Sequence, residues 1–220
     1  MAPPRTMRPD PPGVCFVTGR GATGERPLLE VAVAAIAGGC DMVQVREKDL
    51  LGGPMLQLVR SIVEAAKPRG ARCPVVVNDR LDVALAAKAA GVHLPADGLP
   101  IALVRRHAPK KFLVGRSVHS LAEAKQARKD GADYLFFGPV FATPSKSAFG
   151  PPQGPEMLRK VAEAVTIPVW AIGGINPGTA AELRGLPIAG VAAISFIATA
   201  ADPAAAIGAL RAALAESGTG

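Results

Sequence analysis

Short apolar runs alternate with amphipathic stretches along the chain. The apolar runs are rich in β-branched residues and predict eight strands, at 14–18, 42–47, 74–78, 92–94, 112–118, 134–141, 168–173 and 191–197. The stretches between them place Ala and Leu at helical spacing and predict helices near 28–38, 54–67, 81–90, 100–107, 120–130, 154–165, 177–184 and 202–216. Continuous apolar strands that alternate with helices are typical of a parallel sheet covered by helices.

A glycine-led tripeptide recurs before every second strand. Its copies are Gly39-Cys40-Asp41, Gly91-Val92-His93, Gly131-Ala132-Asp133 and Gly190-Val191-Ala192. Glycine often ends a helix, which offers a purely structural cause, but the recurrence favours eightfold alternation over an open sheet. The sequence therefore predicts an α/β protein, a single (β/α)8 TIM barrel over residues 14–217, preceded by a flexible Pro-rich leader over residues 1–13.

The composition indicates a small anionic ligand. The chain has 25 basic and 18 acidic residues, a formal net charge of +7. Aromatic residues make up 4%, too few for a base-stacking surface, and no run of Lys or Arg is longer than two. We therefore expect small phosphorylated substrates rather than nucleic acid.

The chain carries no sequence signal for a membrane or for export. No apolar run reaches the roughly 18 residues that a bilayer span needs, and the leader lacks the apolar segment of a secretory signal. The three cysteines form no Cys-x-x-Cys pair, which favours buried thiols over a zinc site or a disulfide framework. The sequence predicts a cytoplasmic protein, and a homodimer is compatible with it.

Polar residues at the end of the second strand form the first candidate site. In such a barrel the chemistry lies where the strands end. Gln44, Arg46 and Lys48 alternate, so their side chains share one face, either the barrel mouth or the helix layer. An amide and two cations at the mouth would bind phosphate oxygens. The alternative is that Arg46 and Glu47 are ordinary strand-end charges in solvent.

Two carboxylates follow the third and fourth strands. Asp79, after Asn78, suits Mg²⁺, which takes one or two carboxylates plus substrate phosphate oxygens, but it could equally cap the next helix. Asp97 lies near the mouth and could equally shape a turn. His93 and His107 are interpreted as structural or surface residues, because one opens a predicted strand and the other ends a predicted helix.

The fifth and sixth strands add a second group of polar residues. Either Ser117 or His119 could face the lumen, and His119 is the histidine placed where a proton carrier would act. The long loop after the sixth strand carries Thr143, Ser145 and Lys146, whose hydroxyls and ammonium suit an anion. Its Gly- and Pro-rich remainder suits a lid over a substrate, with a plain connector as the alternative.

Paired glycines follow the seventh strand. Gly173 and Gly174 would let backbone N–H groups approach an oxyanion closely, and Ser195 stands in the eighth predicted strand. The loops after strands seven and eight form the recurrent phosphate site of TIM barrels. This position predicts a second anion site that faces the first across the mouth.

Together these motifs resemble the thiamine phosphate synthase family, which also contains the closely related thiazole tautomerases. The resemblance spans about residues 14 to 215 and is carried by Gln44-Val45-Arg46-Glu47-Lys48, Asn78-Asp79, Gly138-Pro139, Thr143-Pro144-Ser145-Lys146, Ile172-Gly173-Gly174 and Ile194-Ser195. It implies Mg²⁺ on Asp79 and two groups of substrate-binding residues. The pyrimidine diphosphate would be held by Gln44, Arg46, Lys48, Asn78, Ser117 and Lys146, and the thiazole phosphate by Thr143, Ser145, Gly174, Ile194 and Ser195.

The resemblance implies a transferase. The expected reaction joins 4-amino-2-methyl-5-hydroxymethylpyrimidine diphosphate to 4-methyl-5-hydroxyethylthiazole phosphate and gives thiamine phosphate and diphosphate. Arg46, Lys48, Lys146 and Mg²⁺ would stabilise the diphosphate as it leaves.

Some positions depart from the synthases. Their second metal aspartate falls on Gly98, with Asp97 beside it, and Gly19 stands where members often carry an aspartate. The segment 115–120 is more similar to the tautomerases, in which the residue matching His119 shuttles the proton that aromatises carboxythiazole phosphate. Two alternatives follow, namely a metal-independent tautomerase with His119 as acid/base, and a phosphate-binding barrel without catalysis.

Overall fold

Eight parallel strands pair in chain order, and the eighth pairs with the first, so the sheet closes into a barrel. The protein is described here from a computed structural model, over residues 12–143 and 151–215. The predicted single (β/α)8 TIM barrel is confirmed, while the predicted leader lies outside the described residues as far as residue 11. The strands are β1 Gly13–Val17, β2 Met42–Val45, β3 Val75–Asn78, β4 Gly91–Leu94, β5 Leu113–Val118, β6 Tyr134–Phe137, β7 Val169–Ile172 and β8 Gly190–Ala193.

Helices cover the outside of the barrel. They are α1 Leu28–Ala37, α2 Gly52–Ala66, α3 Leu81–Ala86, α4 Ile101–His107, α5 Leu121–Lys129, α6 Gly154–Ala164, α7 Pro177–Ala181, α8 Ser195–Ala198 and α9 Pro203–Leu214, with 3-10 turns at Arg20–Ala22 and Lys67–Arg72. The last helix, α9, packs on α1 and α7 and so covers the seam where β8 meets β1. Among the helices described, none has the length and apolar character that a bilayer span requires.

Side chains of the strands alternate between two apolar clusters, as a pleated strand requires. An outer cluster lies between the strands and the helices and includes Val43, Val45 and Val77. An inner cluster fills the lumen and comprises Cys15, Val17, Met42, Val76, Leu113, Tyr134, Phe136, Trp170, Ala189 and Ala192. A strand residue of the inner cluster points into the lumen, and so does every second residue along the same strand. The inner cluster therefore identifies the residues at each strand's end whose side chains point toward the mouth.

Three strands end two or more residues earlier than the sequence predicts. The predicted strands 42–47, 134–141 and 191–197 end at Val45, Phe137 and Ala193. The third of these strands, β8, pairs with β7 as far as Ala192, which lies opposite Ile172. The apolar run after it continues as the short helix α8. An apolar run alone does not distinguish a strand from a buried helical turn. The helices α3 and α7 also end before the predicted residues 90 and 184.

The three cysteines are buried thiols, as the sequence predicts. Cys40 and Cys73 precede β2 and β3, and their Sγ atoms lie 3.6 Å apart. They therefore stand at the amino-terminal end of the barrel, away from the mouth. Burial raises the pKa of the Cys15 thiol, which points into the inner cluster. Such thiols contribute to packing.

Candidate active site

The side chain of Gln44 points into the lumen at the end of β2. Met42 belongs to the inner cluster and its neighbours Val43 and Val45 to the outer one, so residue 44 shares the lumen face with Met42. Gln44 is 3% exposed, and its Nε2 donates to Asn78 Oδ1 at 2.9 Å. Its Oε1 is buried without a hydrogen-bond partner. The alternative in which this face meets the helix layer is thus removed.

The residue between the two cations of this motif is a buried carboxylate. Glu47 is 7% exposed, so the alternative in which this residue is an ordinary charge in solvent is excluded. Its Oε1 accepts from Thr18 Oγ1 at 2.6 Å, and its Oε2 accepts from the backbone N–H of Arg20 at 3.1 Å. Thr18 Oγ1 in turn accepts from Arg46 N at 2.8 Å. Sequence reasoning missed this network because 29 residues separate its two side chains.

A cleft of about 460 Å³ lies between the loops that follow β1 and β2. It is lined by Gly19, Arg20, Gly21, Arg46, Glu47, Lys48 and Asp49. A side chain at Gly19 would place its Cβ 2.9 Å from Ile194 Cγ2, so Gly19 lies in close contact with the residue that follows β8. Because Gly19 lines the cleft and lies against Ile194, it connects the cationic side of the mouth to the end of β8.

Asp79 follows β3 at the rim of the barrel and does not cap the next helix. The N-cap of α3 is Arg80, which makes no side-chain capping bond. Asp79 has a φ of 61° and donates its N–H to the His93 carbonyl at 2.9 Å. Its exposed carboxylate does not cap the helix and is therefore available to bind a ligand. A Cβ on Gly98 would lie 3.2 Å from Asp79 Oδ1, so the position of the second family aspartate does adjoin Asp79.

Residue 98, in the loop after β4, is a glycine and therefore provides no second carboxylate beside Asp79. Gly98 ends a turn in which its N–H donates to the Pro95 carbonyl at 3.0 Å. Arg116 holds this turn from β5, with donors 2.6 Å from Pro95 O and 3.1 Å from Leu99 O. Over residues 12–143 and 151–215, no group of three or more His, Cys, Asp or Glu side chains could hold a metal ion.

Ser117 lies at the mouth above a buried histidine. Leu113 belongs to the inner cluster, so Ser117 shares its face and points into the lumen. His93 Nε2 lies 2.9 Å from Ser117 Oγ, and His93 Nδ1 lies 3.2 Å from Tyr134 Oη. Burial lowers the pKa of His93 to about 3, helped by the positive charge of Arg116. The sequence-based placement of His93 at the start of a strand was wrong, since β4 begins at Gly91.

His119 follows β5 and is anchored to the end of β6. Its Nδ1 contacts the carbonyl oxygen of Gly138, and its backbone N–H donates to Glu123 Oε2 at 2.8 Å. A carbonyl only accepts, so Nδ1 carries the hydrogen of this bond and Nε2 is left as an acceptor. Ser120 accepts from Glu123 N at 3.2 Å and so forms the N-cap of α5.

The glycine pair after β7 is in tight contact with the loop after β6. Gly173 and Gly174 have φ values of 101° and 67°, which favour glycine. A Cβ on Gly173 would lie 2.7 Å from Pro139, and one on Gly174 would lie 2.6 Å from Ala142 O. Within the part of the chain that the structure describes, neither backbone N–H donates a hydrogen bond. These N–H groups are thus available to an anion, as expected.

The remaining predicted residues follow β6 and β8 in the sequence. Ile194 packs against the inner cluster, and Ser195 is exposed at the first position of α8 rather than in a strand. Thr143 is the last described residue of the loop after β6. Ser145 and Lys146, with the rest of the predicted lid from 144 to 150, lie outside the described residues.

A closed (β/α)8 barrel with polar and cationic side chains at the carboxyl ends of its strands defines this chain as a TIM-barrel protein whose candidate site lies at the mouth. Residues 14–197 match the family described as thiamine monophosphate synthase. The chain belongs to this family, as the sequence motifs predict.

Curated relatives and a solved structure agree with this assignment. A thiamine-phosphate synthase of Roseiflexus castenholzii is 42% identical over 197 residues, which cover 90% of this chain and 86% of the relative. A thiamine-phosphate synthase of Moorella thermoacetica is 44% identical over 188 residues, covering 86% and 89%. The structure of a thiamine phosphate pyrophosphorylase from Pyrococcus furiosus superposes with a TM-score of 0.84 at 35% identity and covers 96% of both chains. The predicted function of thiamine-phosphate synthase, a transferase, is thereby confirmed.

Proposed function

We propose that the mouth residues carry out the synthase reaction on a pyrimidine diphosphate and a thiazole phosphate. The observation that carries this assignment is the pair Gln44 and Asn78 in the lumen. The bond from Gln44 Nε2 to Asn78 Oδ1 fixes both amides, so Asn78 presents its N–H groups and Gln44 presents an unpaired carbonyl. The Gln44 carbonyl suits an amino group on the pyrimidine, and the Asn78 N–H groups suit a phosphate oxygen.

Cationic side chains would stabilise the leaving diphosphate. Arg46 and Lys48 line the cleft beside Gly19, and Lys146 would complete the set from the loop after β6. Departing diphosphate accumulates negative charge, which fixed cations at a partly enclosed mouth stabilise. Ser117 would add a hydroxyl donor from β5.

A magnesium ion would be held by Asp79. Mg²⁺ takes one or two carboxylates and completes its shell with water and substrate phosphate oxygens, so one exposed carboxylate beside a diphosphate suffices. Asp79 is free of capping bonds and stands at the same rim as Asn78. When bound, the ion would neutralise charge on the diphosphate.

The thiazole phosphate would bind on the other side of the mouth. The free amides of Gly173 and Gly174 suit its phosphate oxygens. Further contacts would come from Thr143, Ser145, Ile194 and Ser195. Gly19 joins this side to the cationic cleft, which brings the two substrates together.

The reaction breaks one bond and forms one. The C–O bond of the pyrimidine diphosphate breaks, and both electrons leave with the diphosphate. The resulting pyrimidinylmethyl cation is captured by the lone pair of the thiazole nitrogen, which forms the C–N bond of thiamine phosphate. No proton transfer is needed for this balance, so the chain has to supply binding, orientation and charge stabilisation.

The test is product formation by the purified protein with both substrates and Mg²⁺. We expect thiamine phosphate and diphosphate in equal amounts. Arg46→Ala should lower kcat/KM at least about 100-fold, because a group that pairs with transition-state charge is lost. Arg106→Ala, an exposed arginine of α4, is the matched control and should leave the rate unchanged. Absence of diphosphate from the wild-type protein would contradict the proposal.

The tautomerase is the second candidate, and the geometry of His119 favours it. The Gly138 carbonyl fixes Nδ1–H and leaves Nε2 as a base, and Gly98 supplies no metal ligand. This activity predicts a metal-independent ultraviolet change with carboxythiazole phosphate that His119→Gln abolishes. Binding of thiazole phosphate without turnover of any of these substrates would indicate the non-catalytic barrel instead. Sedimentation of the purified chain would test the predicted homodimer.

A further inference from the structure

We infer that His93 is a positioning residue, which holds the Ser117 hydroxyl so that its hydrogen points out of the barrel toward the diphosphate. The inference rests on the proposed role of Ser117 in holding that group. His93 is 1% exposed and lies below Ser117, on the same lumen face of the neighbouring strand. It therefore acts on the substrate through Ser117 and does not contact it.

The three side chains form one hydrogen-bonded row. Tyr134 Oη lies 3.2 Å from His93 Nδ1, and His93 Nε2 lies 2.9 Å from Ser117 Oγ. Tyr134 is fully buried, while Ser117 is partly exposed at the mouth. Among the described residues, neither hydroxyl has another hydrogen-bond partner. The row thus runs from the centre of the lumen to the substrate side.

Only one tautomer of His93 satisfies the row. With the hydrogen on Nε2, Tyr134 donates to Nδ1 and His93 donates to Ser117 Oγ, so the Ser117 hydrogen is left to point outward. With the hydrogen on Nδ1, Ser117 has to donate inward and the Tyr134 hydroxyl hydrogen is buried without an acceptor. An unpaired buried donor is destabilising, so the first tautomer is favoured.

Two further features support this arrangement. A Cβ on Gly115 would lie 2.6 Å from His93 Nδ1, so the glycine leaves room for Tyr134 and His93 to meet. His93 is 1% exposed, and its ring lies against the rings of Tyr134 and Phe136, an apolar enclosure that favours the neutral imidazole. A neutral ring has one N–H, which makes its direction decisive for Ser117.

The first test determines the tautomer directly. Two-bond ¹⁵N–¹H correlation spectra of protein labelled at histidine separate the Nε2–H and Nδ1–H forms, and His93→Gln assigns the signal. We expect the Nε2–H form in the wild type. In Tyr134→Phe, which removes the hydroxyl, we expect the other tautomer to become populated. An Nδ1–H signal for wild-type His93 would overturn the inference.

The second test is a double-mutant cycle on the affinity for inorganic pyrophosphate with Mg²⁺, measured by calorimetry. Ser117→Ala should weaken binding about tenfold, as expected for a hydrogen bond to a charged group. His93→Leu should weaken it roughly threefold to tenfold, and His93→Gln should restore most of this because its amide can donate to Ser117. In the Ser117→Ala background, His93→Leu should have less than about a twofold effect.

The outcomes separate a positioning role from a structural one. Equal losses from His93→Leu with and without the Ser117 hydroxyl would overturn the inference. If His93→Leu does not fold, His93→Gln and Tyr134→Phe carry the same comparison, with thermal unfolding as the check. Wild-type protein that neither binds pyrophosphate nor makes thiamine phosphate would contradict the proposed function, whereas the tautomer is measured independently of it.

Discussion

Glu47 is a negative charge at a mouth that is proposed to bind anions. Its carboxylate accepts from Thr18 and from the Arg20 backbone, and it pairs with the Arg20 guanidinium at 3.8 Å. These donors compensate the charge that burial would otherwise make costly. The same network fixes the backbone of Arg46 through Thr18, so the carboxylate positions the cation beside it.

Replacement of Glu47 by Gln should therefore affect both stability and binding. The amide offers one acceptor where two are used and turns an N–H group toward Thr18 or the Arg20 amide. We expect a loss of about 1–3 kcal/mol in the free energy of unfolding and a higher KM for the pyrimidine diphosphate. Urea denaturation and initial rates measure the two effects. Asp49→Asn, at the exposed carboxylate that also pairs with Arg20, is the control and should leave the urea midpoint close to that of the wild type.

Gly98 accounts for the missing second carboxylate in steric terms. A Cβ at this position would lie 2.7 Å from Pro95 Cδ and 3.2 Å from Asp79 Oδ1. The proline ring, held in the turn by Arg116, therefore leaves no room at position 98 for the aspartate that the family resemblance implies. The Pro95 ring fits against residue 98 because that residue is a glycine without a Cβ.

A double variant, Pro95→Gly with Gly98→Asp, should supply the second carboxylate beside Asp79. Because a second negative oxygen ligand strengthens a Mg²⁺ site, we expect the Mg²⁺ concentration at half-maximal activity to fall several-fold. A titration of Mg²⁺ against initial rate measures this. Pro95→Gly with Gly98→Ala is the control and should resemble the wild type. An unchanged Mg²⁺ requirement in the aspartate variant would show that position 98 does not reach the metal.

Two copies of the glycine-led tripeptide form the same structural unit at the amino-terminal end of the barrel. Asp41 Oδ2 accepts from Val14 N at 2.9 Å and from Arg211 at 2.7 Å. Asp133 Oδ2 accepts from Val114 N at 2.7 Å and from Arg105 at 2.6 Å.

Each arginine also donates to the carbonyl of the glycine two residues before its aspartate. Arg211 donates to Gly39 O at 2.7 Å and Arg105 to Gly131 O at 2.8 Å. The glycines have φ values of 92° and 94°. The unit thus joins a strand, the preceding helix end and an outer helix, and it accounts for the two copies of the tripeptide that end in aspartate.

Loss of either aspartate should destabilise the fold by a similar amount. Asp133→Ala leaves the Val114 N–H and the Arg105 guanidinium without their acceptor, so we expect a loss of about 2 kcal/mol in the free energy of unfolding. Asp41→Ala should cost about the same, since its partners are equivalent. Asp130→Ala is the control, because among residues 12–143 and 151–215 this exposed carboxylate accepts a hydrogen bond from Gln126 alone. Urea denaturation compares them, and an Asp133→Ala midpoint equal to that of Asp130→Ala would contradict the equivalence.

The order of strands and helices could be predicted from the sequence because each is a local pattern. Once the inner cluster is known, the alternation of side chains along each strand shows that Gln44 and Ser117 point into the lumen. The same alternation places His93 in the lumen, and it can be read from the sequence of the segment from Gly91 to Leu94. The bond between Thr18 and Glu47 and the steric pair at Pro95 and Gly98 could not be predicted, since they depend on contacts that barrel closure creates.

At the scale of the whole molecule, the lumen is a packed, mainly apolar core, and the side chains of Gln44, Asn78 and Ser117 lie at its mouth end. His93 lies at the boundary between the apolar part of the lumen and the polar mouth. Its ring centroid lies 4.4 Å from that of Phe136, and the Phe136 ring lies 6.5 Å from that of Trp170. Above it stand Ser117 and the substrate groups. A proton on His93 would therefore enter an apolar enclosure, which gives the fold a pH dependence.

The stability of the barrel should fall with pH below about 6.5, the usual pKa of an unfolded histidine. The folded-state pKa of His93 is about 3, so between these values the unfolded chain binds a proton that the folded chain does not. Stability from this group is present above the unfolded pKa and is lost as pH falls toward 3. Between pH 7.5 and 5 the wild type should lose about 2 kcal/mol more than His93→Gln. Urea unfolding at the two pH values measures the difference. His107→Gln, at an exposed histidine, should keep the wild-type dependence, and a His93→Gln variant that also kept it would show that this ring is protonated in the folded barrel.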